Sequence, residues 1–175
     1  MIKTILHYVD GQATEGGEEI IAQWREVPES RLWLDIEGEV TGDIAVLLEE
    51  LGCDPLSITD SSRVRHPPKI ERFENNTFLL FRGISRLDKD LELVPQQIGI
   101  WVGEGLLISV HRGHSVSIEH FWEQALLKPV LEEPGRLALR LIHYSCGRYL
   151  ETMLEFEERL AALEDGLLAG ISEAN

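Results

Sequence analysis

The sequence predicts an α/β fold, a mixed parallel and antiparallel sheet sandwiched between helices (α/β/α), followed by a long C-terminal helix. Three observations predict it. Strand-like and helix-like segments alternate over the first fifty or so residues, the signature of an α/β arrangement. Two later runs, residues 77–84 and 106–111, are apolar enough to lie inside a sheet. From Ile142 apolar or weakly polar residues recur in steps of four and three, as a heptad seam does. These divide the chain into an α/β/α domain over residues 1–130 and a helical extension over 131–175.

Residues 2–9 have the β-branched and aromatic content of a strand, ended by Asp10-Gly11. Residues 18–27 read as a short helix with Ile20, Ile21 and Trp24 on one side, stopped by Pro28. Residues 31–37 alternate Leu32, Leu34 and Ile36 against Arg31, Trp33 and Asp35, the period of a strand. Ile44, Leu47, Leu48 and Leu51 then recur at helical spacing before Gly52.

Asp54 is placed to cap a further helix, whose first position suits Pro55 because no backbone N–H is needed there. Pro67 and Pro68 force the chain to leave that helix extended. Asn75-Asn76 joins two strands, and Asp88-Lys89-Asp90 forms a polar turn before strand character resumes at residues 91–102. Gly103-Glu104-Gly105 is a tight connection and not a phosphate loop, since the third glycine and the following helix are absent. Ser117 is the expected cap of a helix carrying Ile118, Phe121, Trp122, Ala125 and Leu126, which Lys128-Pro129 ends. The final seam runs through Ile142, Cys146, Tyr149, Met153, Phe156, Leu160, Leu163 and Leu167.

Composition limits the function classes. The net charge of −15 in 175 residues disfavours nucleic acid and anionic lipid, and favours attraction of cations. Cys53 and Cys146 have no CxxC spacing, so neither a disulfide framework nor a zinc knuckle is indicated and the compartment reads as reducing. No apolar run reaches the roughly 18 residues needed to cross a membrane.

The order Asp54-Pro-Leu, Asp60, Pro68-Lys-Ile-Glu-Arg-Phe and Phe78-Leu-Leu-Phe resembles the N-terminal cytosolic domain of the CorA-type divalent metal cation transporters, the magnesium channel CorA and the zinc transporter ZntB. Three positions depart from that pattern: Cys53-Asp54 where a His precedes the Pro, a single acid in Thr59-Asp60, and Pro67 in place of an Arg. The resemblance implies a regulatory domain that senses Mg²⁺ or Zn²⁺ and forms a cytosolic funnel, without enzymatic activity. It implies a homo-oligomer, pentameric at full length and monomeric or weakly associated for this stretch. The membrane would be reached only through helices beyond Asn175, at the cytoplasmic face of the inner membrane. It also places Asp60 at the acidic position that contacts a regulatory divalent cation. The competing reading is a stand-alone interaction module that associates through its heptad helix.

Two other chemistries can be drawn. His111, His114 and His120 could each supply a zinc ligand, although their spacing matches no standard pattern. Ser109, His111, Asp60 and Cys146 contain the residue types of nucleophilic catalysis without a nucleophile elbow.

Overall fold

The structure, a computed structural model, describes residues 1–127 and 133–173, with residues 170–173 as backbone only. Among the described residues, the strands form one seven-stranded sheet in the order β2-β1-β3-β7-β6-β5-β4. They are β1 (Ile2–His7), β2 (Ala13–Gly16), β3 (Arg31–Glu37), β4 (Lys69–Arg72), β5 (Asn76–Leu87), β6 (Leu93–Gly103) and β7 (Leu106–His111). The helices are α1 (Glu19–Glu26), α2 (Gly42–Glu50), α3 (Pro55–Ser62), α4 (Val116–Leu127) and α5 (Pro134–Glu173). β3 and β7 pair in parallel, while the other neighbours pair antiparallel.

Local chemistry accounts for most boundaries. The Asp54 carboxylate accepts the Leu56 N–H at 2.8 Å with Pro55 opening α3, so this helix starts where the Asp-Pro pair demands. Gly52 adopts φ +84° after α2, and Gly105 adopts φ +64° between β6 and β7; both conformations are strained for a residue with a Cβ. The Asp88 carboxylate accepts the N–H groups of Asp90 and Glu92, closing the turn of the β5–β6 hairpin.

The structure adds one strand and corrects one cap. β2 carries no strand pattern and exists because the turn after Tyr8 returns the chain to pair with β1. The α4 start is bonded by Ser115, whose hydroxyl accepts the Ile118 N–H at 3.4 Å. Ser117 lies buried instead, accepting a hydrogen bond from Ser145 at 2.8 Å. The Lys128-Pro129 stop of α4 lies outside the described residues.

Two cores sit on opposite faces of the sheet. One joins Leu6, Leu34, Ile36, Phe78, Trp101 and Ile108 to α1, α2 and α3 through Ile20, Leu48 and Ile58. The other joins Ile5, Trp33, Ile100 and Leu107 to α4 and α5 through Phe121, Trp122, Leu137 and Leu141. The first turns of α5 therefore belong to the body of the domain, because Leu137, Ala138 and Leu141 are each 1% exposed.

Leu79, Ile108 and Val110 are buried as expected of the two apolar runs, but Phe81 is only partly buried. The fully buried aromatic of β5 is Phe78, whose ring centroid lies 4.8 Å from that of Trp101.

Candidate functional site

Asp60 stands in the last turn of α3 with most of its surface covered. The chain leaves α3 through Pro67-Pro68 and returns along β4, which brings Lys69 back to the helix end. Lys69 Nζ lies 2.5 Å from Asp60 Oδ2, while His66 Nε2 and Arg63 Nη1 lie 3.2 and 3.5 Å from Oδ1. Burial pushes the Asp60 carboxyl up, but the Lys69 hydrogen bond and the charges of His66, Lys69 and Arg63 outweigh it and hold the carboxyl below the usual range. The hydrogen bond to Asp60 raises Lys69 in turn. Asp60 is thus ionised and already held by the Lys69 ammonium, with Arg63 and His66 beside it.

A second charged centre lies inside the sheet. Asp35, fully buried on β3, accepts the Ser109 hydroxyl at 2.5 Å and faces His111 Nε2 at 3.3 Å, with Lys3 Nζ at 3.5 Å. The Trp33 indole N–H donates to the Ser109 oxygen at 3.0 Å, and His111 Nδ1 lies 2.6 Å from the Gly113 carbonyl. Burial works to lower the His111 pKa, but the hydrogen bond and charge of Asp35, with the Gly113 carbonyl and the charge of Glu37, raise it above the ordinary value.

Trp33 and Asp35, which alternate with Leu32, Leu34 and Ile36 along β3, are both 0% exposed. The legible signal was the fold class itself: a strand central to a sheet covered on both faces has no solvent side.

The alternative chemistries do not assemble. Ser109 and His111 meet at Asp35, not Asp60, and the serine hydroxyl is committed to the carboxylate, so no activated nucleophile results. Cys146 is an exposed thiol on α5, while burial pushes Cys53 up to about 12. Among the described residues no group of three or more His, Cys, Asp or Glu is arranged to hold a metal. His114 is exposed beside Glu119, and His120 stacks on Tyr144 with centroids 4.5 Å apart, so the three histidines serve different neighbours.

α5 has 40 residues and is roughly 60 Å long at 1.5 Å per residue. Beyond Leu141 its inward side mixes apolar and polar groups: Ile142 and Tyr144 pack against the core, Ser145 and Thr152 bond back to their own helix, and Arg159 donates to the carbonyls of Asp88 and Lys89 at the tip of the β5–β6 hairpin. The heptad seam begins against the core at Ile142 and is uncovered towards its end, with Leu160, Leu163 and Leu167 42%, 53% and 69% exposed. Among the described residues no helix is long and apolar enough to cross a membrane.

The sequence profile of the family described as CorA-like Mg²⁺ transporter protein matches residues 29–175. This chain belongs to the CorA-like family. The fold agrees with solved structures of the group. The soluble domain of CorA from Methanocaldococcus jannaschii superposes with TM-score 0.72 at 17% identity, covering 97% of this chain and 65% of that one. Full-length CmaX gives 0.71 at 16% identity, covering 95% and 51%. The ZntB cytoplasmic domain from Vibrio parahaemolyticus RIMD 2210633 gives 0.62 at 18% identity, covering 87% and 62%. The chain thus spans between half and two thirds of the length of these neighbours. A search of curated protein sequences finds no match. The mixed seven-stranded sheet and long C-terminal helix of this CorA-like chain are those of the CorA soluble domain.

Proposed function

We propose that this domain is the cytosolic regulatory part of a CorA-like transporter of divalent cations, Mg²⁺ or Zn²⁺, lying at the cytoplasmic face of the inner membrane. The observation that carries the reading is the match of residues 29–175 to the family, joined to a helix that starts in the sheet core and continues past it with an apolar stripe uncovered. Such a stripe at heptad spacing suits packing against equivalent helices in a funnel of identical subunits. The test is transport by the protein encoded by the full reading frame, reconstituted in liposomes holding a Mg²⁺- or Zn²⁺-sensitive dye. Uptake of one ion is expected, and a protein that folds and inserts but passes neither ion would overturn the reading.

In the same proposal Asp60 makes a weak contact to the regulatory cation, exchanging Lys69 for the metal. Hard cations accept one or two carboxylates and keep their waters, so a single chain binds at about millimolar Kd. The net charge of −15 raises the local cation concentration. NMR titration with Mg²⁺ is expected to shift the Asp60 resonances in the parent, at lower concentration in Lys69→Ala, and not in Asp60→Ala. Shifts spread evenly over acidic surfaces and equal in all three proteins would assign the charge to solvation alone.

The assembly proposed is a pentamer for the full-length protein and a monomer or weak oligomer for these residues by themselves. Sedimentation at micromolar concentration should give a monomer-dominated distribution. The exposed Leu160, Leu163 and Leu167 also suit a stand-alone interaction module. That second reading requires a tight oligomer which Leu160→Asp with Leu163→Asp dissociates.

A further inference from the structure

β3 and β7 are the parallel neighbours in the sheet, and the chain leaves them in opposite directions. After β3 it passes to α2 on one face, and after β7 to α4 on the other. Such a switch point opens a crevice outside the carboxyl ends of the two strands, which is where open α/β sheets place ligands. Here it holds a cavity of about 540 Å³, bounded by Gly38 and Val40 after β3 and by Arg112 to His114 after β7. The C-terminal end of α3, the β5–β6 hairpin and α5 complete its wall.

Its charge runs against that of the protein. Arg63, Arg82, Arg86, Arg112 and Arg148 all line it and no Asp or Glu does, in a chain with 16 Lys and Arg against 31 Asp and Glu. Arg82 and Arg86 are exposed and make no side-chain hydrogen bond or ion pair among the described residues. Arg63, Arg112 and Arg148 each have one carboxylate outside the cavity, Asp60 at 3.5 Å, Glu39 at 3.9 Å and Glu151 at 2.8 Å. Five guanidinium groups against three peripheral carboxylates leave an uncompensated positive field. On the cavity wall, Arg148 Nε and Gln97 Oε1 are buried without a hydrogen-bond partner, a donor and an acceptor of the kind a bound molecule satisfies.

We propose that this cavity binds a small molecule carrying two or more phosphates, of nucleotide size. Guanidinium groups hold phosphate oxygens in bidentate pairs, and several converging on one cavity favour a polyphosphate over a monoanion. Val40, Val64, Val94 and Val110 give the remainder of the cavity an apolar lining for an uncharged part of the ligand. An adjoining cavity shares Val64, Arg82 and Pro95 and ends on Tyr149, whose ring is available to a planar base. The volume lies within the roughly 300–1,000 Å³ of small-molecule sites. Because Arg148 and Tyr149 belong to α5, an occupant bridges the end of the sheet to the helix that leaves the domain.

The test is calorimetric titration of the protein with ATP, tripolyphosphate, pyrophosphate and inorganic phosphate in metal-free, low-salt buffer. ATP and tripolyphosphate are expected to bind at least about tenfold more tightly than inorganic phosphate, with affinity falling as salt rises. ATP stronger than tripolyphosphate places a base on the Tyr149 side; equal affinities assign a bare polyphosphate. Arg82→Ala with Arg86→Ala removes two unpartnered exposed charges, so the variant folds as the parent does and loses binding about tenfold or more. Arg25→Ala with Arg136→Ala, outside the cavity, changes charge equally and leaves binding intact. No binding at millimolar ligand, or equal loss in both double variants, overturns the proposal. Dissociation of an oligomer by Arg82→Ala with Arg86→Ala, without any ligand binding, would overturn it in favour of an acidic surface on a second copy.

Discussion

Replacing Trp33 with alanine is expected to destabilise the domain by about 3–5 kcal/mol, the usual cost of deleting a buried large aromatic. Trp33 has no exposed surface, and its ring centroid lies 4.9 Å from that of Trp122 on α4. Its indole N–H also donates to Ser109, so the truncation opens a cavity and leaves the Asp35 network short of one donor. Against a typical total of about 5–15 kcal/mol, such a loss leaves the domain marginal. Urea denaturation measures it, and an unchanged midpoint would show that the Trp33 ring does not pack against Trp122.

Asp35→Ala is expected to cost a comparable amount, about 3–5 kcal/mol, because it removes one partner of a buried charge network and strands the others. Ser109 loses its acceptor, and His111 and Lys3 lose their counter-charge. The pH dependence distinguishes this electrostatic cause from simple loss of packing. The folded-state pKa of His111 is raised, so the histidine contributes stability that is fully present below its unfolded value and is lost as pH rises through the folded one. The parent should therefore lose stability relative to His111→Gln as pH rises from about 6.5, the ordinary histidine value. Asp35→Ala should abolish that slope. Denaturation midpoints across this range that remain parallel for parent and His111→Gln would show that the Asp35 pair does not hold the proton.

The sequence by itself determined the α/β/α class, the extents of most elements and the family, because each rests on short-range chemistry. Asp54-Pro55 starts α3 whatever surrounds it, Gly52 ends α2, and Leu106 to His111 is too apolar for any place but the inside of a sheet. Phe78 and Phe81 show where such reasoning stops. They lie three positions apart in one strand and hence on opposite faces, and which face is better covered depends on helices elsewhere in the chain. β2 depended on pairing with β1, and Asp35 on Ser109 and His111, which lie more than seventy residues away. The sequence also marked Asp60 without its setting, since Lys69 reaches it only after the Pro67-Pro68 segment turns the chain back along β4. The arginine-lined cavity was the least legible feature. Arg63, Arg82, Arg112 and Arg148 come from α3's end, β5, the β7–α4 turn and α5, and only the sheet's order of strands and its two-sided covering bring them together.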